Sequence, residues 1–108
     1  MPNTIKIRAK LAGDTTVVKA LISHPMETGQ RKDKAGKKIP AHFIQEVTCE
    51  HNGKVVLAAQ WGPAVSKNPY LSFRLKGAKE GDVIKLRWVD NKGESDETQT
   101  KVMVPKMD

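Results

Sequence analysis

The chain has 108 residues, enough for one domain around one hydrophobic core, read here as spanning the whole of 1–108. Its formal net charge of +7 favours anionic partners, against the plainer reading of a soluble surface with a positive bias. A single cysteine, Cys49, excludes an internal disulfide, and no apolar run approaches the length of a membrane helix.

Thr4 to Lys10 alternates, with Ile5, Ile7 and Ala9 on one face and Lys6, Arg8 and Lys10 on the other, which predicts a half-buried strand. The same charges interrupt any h-region, so the start does not read as a signal peptide. Gly13-Asp14 is a turn, and the β-branched run Thr15 to Ile22 reads as the return strand of a hairpin. From His24 to His42 a long loop follows, with a solvated, mobile-looking tip from Gln30 to Lys38. Phe43 to His51 alternates again, placing Phe43, Val47 and Cys49 on one face and Ile44 on the other. Asn52-Gly53 is a type I′ hairpin signal. Lys54 to Trp61 is apolar on both faces, as expected of an interior strand or one covered by a partner. After the Gly62 to Pro69 loop, strands are expected at Tyr70 to Leu75, Val83 to Val89 and Glu97 to Val104. Seven strands without a helix predict an all-β, immunoglobulin-like antiparallel sandwich, with a seven-strand open barrel as the alternative.

Catalytic chemistry finds little support. Cys49 and His51 share a strand face and could begin a metal site, but closing it needs His24 or His42 to fold back. The simpler assignment makes Cys49 a small core residue and His51 a hairpin cap. Glu46 and Glu50 disfavour a nucleophilic Cys49. Ser23, His24 and Glu27 are mere sequence neighbours without an oxyanion element. No phosphate-binding glycine loop is present. Aromatics are 5% of the chain, too few for a stacking platform beyond the core, so a stand-alone basic domain binding nucleic acid is the second choice. The loops carry the functional expectation. Pro25, Met26, Trp61, Pro63, Val65 and Tyr70 are expected near a partner interface, through which the isolated chain could also form homodimers. Arg31, Lys32, Lys34, Lys37 and Lys38 are expected to steer docking electrostatically.

Ser23–Asp33, Ile39–Ile44, Trp61–Tyr70 and Trp88–Gly93 together resemble the SoxZ family, the small subunits of the SoxYZ sulfur-carrier complex of thiosulfate-oxidising bacteria. The resemblance is colinear and runs through nearly the whole chain. It implies an E-set type sandwich that is not an enzyme and needs no cofactor or metal. Its implied partner is SoxY, whose Gly-Gly-Cys-Gly-Gly arm bears the sulfur adduct, and other Sox enzymes dock transiently onto the pair. Val102 to Asp108 contains neither cysteine nor glycine, as the resemblance implies for the non-carrier subunit. It further implies a periplasmic location, reached by export with a signal-bearing SoxY, and neither a membrane nor a nucleic-acid partner.

Overall fold

The computed structural model describes residues 4–104. Seven antiparallel strands form two sheets: β1 (Ile5–Ala12), β2 (Thr15–Ile22) and β5 (Tyr70–Lys76) in the order β1-β2-β5, and β3 (Ile44–His51), β4 (Lys54–Gln60), β6 (Val83–Asp90) and β7 (Ser95–Lys101) in the order β4-β3-β6-β7. The chain changes sheet after β2, β4 and β5, which gives a β-sandwich of immunoglobulin-like type rather than a barrel.

Alternation builds the core. Ile5, Ala9, Val18, Ala20 and Ile22 point inward from one sheet, and Val47, Cys49, Ile84, Leu86 and Trp88 from the other. Each fully buried aliphatic chain contributes about 1.5–3 kcal/mol relative to exposure. Asn52 and Gly53 take φ of 51° and 84°, as a type I′ turn requires.

Four expectations change. Ile44 is fully buried, not outward, because the β3–β6 register shifts between Ile44 and Glu46; this bulge reverses the parity of the alternation. β4 is the edge of its sheet, so its apolar content does not mark an interior strand. The last strand runs Ser95–Lys101 instead of Glu97 to Val104. Beyond it, Met103 crosses to β1, donating its amide to the Ala9 carbonyl (2.9 Å) and accepting from the Leu11 amide (2.8 Å). The His24–His42 segment is an irregular hairpin, with bridges at Glu27–His42 and Lys32–Lys38. Asp33 ties its tip by accepting from the amides of Ala35 and Lys37.

The sandwich closes on one side. Between the sheets, β1 approaches β7 closely, and no comparable approach joins β4 to β5. At the β4/β5 side Leu57, Trp61, Val65, Leu71, Phe73 and Leu75 pack on the core yet remain only half-buried, as Ile7 and Leu11 do on β1.

Candidate interaction surfaces and a buried histidine cluster

The expected interface residues do not form one patch. Met26 belongs to the core, 5% exposed, and its sulfur accepts the Ile44 amide at 3.4 Å. Its φ of 49° turns the side chain inward, a backbone state uncommon outside glycine and asparagine, and this corrects its placement on a partner surface. Pro25 is exposed beside it. Trp61 and Val65 are half-buried at the unclosed β4/β5 side, with Pro63 exposed between them. Tyr70, 60% exposed, lies next to Leu21 across the β2–β5 pair, on the outer face of the small sheet. The two long loops are bonded together: Asn68 donates its amide to the His24 carbonyl (3.0 Å), and the His24 amide donates to the Asn68 side chain (3.1 Å).

The five expected steering residues are all exposed on the hairpin. Arg31 is paired to Glu27, and that hydrogen bond holds the Glu27 carboxyl below the usual range. Asp33 sits among the remaining lysines.

Sequence reasoning missed the hub at Asp90. Its side chain is fully buried at the end of β6. One carboxylate oxygen accepts from the amides of Lys92 (3.0 Å) and Glu94 (2.9 Å). The other is 3.0 Å from His24 Nε2 and 2.7 Å from His42 Nε2. Burial pushes the Asp90 carboxyl up, but hydrogen bonds from both histidines and the two amides outweigh it and hold the group below its ordinary value. The His24 ring meets His42 and Trp88 edge-on, with centroids 4.5 and 5.0 Å away. Only the three-dimensional pairing exposes this cluster, since His24 and Asp90 lie 66 positions apart.

His24, His42 and Asp90 offer ligand atoms within 4.8 Å of one another, a spacing that could hold a metal. The His24 tautomer argues otherwise. Its Nδ1 accepts the Met26 amide at 3.1 Å, so the neutral ring carries its proton on Nε2 and donates it to Asp90. A nitrogen that is donating has no lone pair for a cation, and metal-bound histidine ordinarily donates from its other nitrogen. The cluster therefore acts as a clamp joining the hairpin base to the β6–β7 turn. A shallow opening above it is lined by Thr4, Pro25, His42, Trp88 and Glu94.

Cys49 and His51 do not combine either. Cys49 is fully buried in β3, where burial, with Glu50 adding to it, pushes the thiol up to about 11. His51 pairs with Asp82 at 2.7 Å, and that bond, with the Lys79 amide and Asn52, holds the Asp82 carboxyl down at about 2.

Among solved structures the chain is similar to superoxide reductase (neelaredoxin) from Ignicoccus hospitalis, at 21% identity and a TM-score of 0.60, covering 95% of this chain and 81% of that one. It is also similar to hypothetical protein PH1083 from Pyrococcus horikoshii OT3, at 17% identity and a TM-score of 0.63, covering 94% and 88%. At such identities these likenesses speak for the fold alone. No curated protein matches. A family match, described as "Sulphur oxidation protein SoxZ", spans residues 5–101, which takes in all seven strands and both long loops. The chain belongs to the SoxZ family.

Proposed function

We propose that this chain is the non-catalytic subunit of a periplasmic sulfur-carrier heterodimer. It pairs with a SoxY-type chain and presents that chain's cysteine-bound sulfur intermediates to Sox enzymes during thiosulfate oxidation. The family match over residues 5–101 carries the reading. The unclosed β4/β5 side supports it, because half-buried Leu57, Trp61, Val65 and Phe73 gain from a covering partner. Pro63 marks the rim of that side.

Co-expression with a SoxY-type chain, followed by light scattering on the purified product, tests the pairing. A one-to-one complex is expected, weakened by Val65→Glu and by Pro63→Glu, the second a change at an exposed residue. Failure of the wild-type chain to pair overturns the proposal. Salt-sensitive binding of oligonucleotide by a chain that does not pair establishes the nucleic-acid alternative instead.

A further inference from the structure

The two sheets present different outer faces. On the four-stranded sheet acids and bases interleave: Glu46, Glu50 and Glu97 lie among Lys85, Arg87 and Lys101, and Lys85 reaches Glu97 at 2.7 Å. On the three-stranded sheet the registers align Lys6–Leu21–Tyr70, Arg8–Lys19–Ser72, Lys10–Val17–Arg74 and Ala12–Thr15–Lys76 in four rows. Those rows hold bases at Lys6, Arg8, Lys10, Lys19, Arg74 and Lys76, and no acid. All six are exposed, and none takes part in an ion pair among the described residues.

This arrangement costs stability. Arg8 and Lys19 are direct cross-strand partners, and like charges so placed repel. Strands about 5 Å apart, with same-face residues about 7 Å apart along each, put neighbouring charges within the ~10 Å Debye length of 0.1 M salt. The six charges therefore act as one field. Solubility alone would be served by the interleaving seen on the other sheet.

We propose that the outer face of the β1-β2-β5 sheet is the docking surface for an acidic protein face, that of an enzyme acting on the carrier complex. This rests on the carrier-subunit reading and adds the surface and its chemistry. Charge complementarity selects an anionic occupant. A protein fits better than nucleic acid, because Tyr70 is the only aromatic residue in the four rows and a single-strand platform stacks several bases. Tyr70 and Leu21, 60% and 42% exposed, supply a small apolar anchor at one end of the face. Three short strands offer an area at the low end of protein interfaces, below about 1,200 Å² in total, which suits repeated transient encounters.

The test uses the heterodimer with the SoxY-type chain. Arg8→Glu/Arg74→Glu is compared with wild type and with the hairpin variant Arg31→Glu/Lys34→Glu. Chromatography first establishes that each variant still pairs. Association with each purified Sox enzyme of the same organism is then followed by stopped flow at about 20 mM and about 0.5 M ionic strength. The sheet-face variant is expected to lower the association rate on at least one enzyme about tenfold at low salt and less than about twofold at high salt. Arg8→Lys/Arg74→Lys should restore it. Unchanged association, loss confined to the hairpin variant, or absence of docking by an intact heterodimer overturns the proposal. Tighter binding to oligothymidylate or to phosphatidylglycerol vesicles than to any enzyme also overturns it. If wild type does not pair at all, the carrier-subunit reading falls first.

Discussion

Replacing Asp90 by asparagine keeps the size of the side chain and removes one acceptor from the clamp. The amide oxygen can retain the Lys92 and Glu94 amides, which leaves the NH2 group facing two histidine nitrogens. His42 can change tautomer and accept. His24 cannot, because a proton on its Nδ1 would oppose the Met26 amide. One donor-to-donor contact at a 3.0 Å position thus persists in a fully buried site. An unsatisfied buried donor costs about 1–3 kcal/mol and loss of a hydrogen bond to a charged group about 1.5–3 kcal/mol, together about 3–5 kcal/mol. With an m-value of about 1.5 kcal/mol/M, the urea midpoint should fall by about 2–3 M at pH 7. A group whose folded pKa is depressed stabilises above its unfolded value and loses that contribution as pH falls through the folded one. Asp90 is such a group, so the gap between wild type and Asp90→Asn should narrow as pH drops below about 4. A loss under about 1 kcal/mol at pH 7, or a gap constant across that acid range, refutes the assigned tautomer and the clamp.

Two further outcomes follow from neighbouring features. Lys19→Glu turns the Arg8 repulsion into a cross-strand pair, so it should raise stability by about 0.5–1 kcal/mol at low salt, an increment that urea melts at high salt should abolish. Cys49 should react with thiol reagents only through opening of the domain, at a rate that rises in step with denaturant; fast labelling of the native chain would contradict its burial.

Much of the strand placement along the chain was legible because alternation and turn chemistry are local. β2 lies where its β-branched run predicts, and Asn52-Gly53 makes the hairpin it signals. Ile44 was misplaced because a bulge shifts parity without any mark in composition. Met26 looked like interface because Pro25 and Gly29 surround it with loop chemistry, while a single left-handed backbone angle sends it into the core. Only half of the basic face was visible. Lys6, Arg8 and Lys10 alternate on one strand, but joining them to Lys19, Arg74 and Lys76 requires knowing that β5 pairs with β2. The Asp90 clamp needed contacts across 48 and 66 positions, which no local pattern encodes.

A shell stitched along one seam opens about that seam. Met103 fastens the chain to β1 beside β7, whereas the opposite margin has no such stitch among the described residues. Amide hydrogens on β4 and β5 should therefore exchange with solvent sooner than those of β1 and β6, through small hinge-like excursions that leave the Met103 bonds intact. The half-buried apolar residues at that margin would be wetted further in each such excursion. A partner subunit seated on that margin would suppress these excursions, so the proposed pairing would set the rigidity of the domain as well as its contacts.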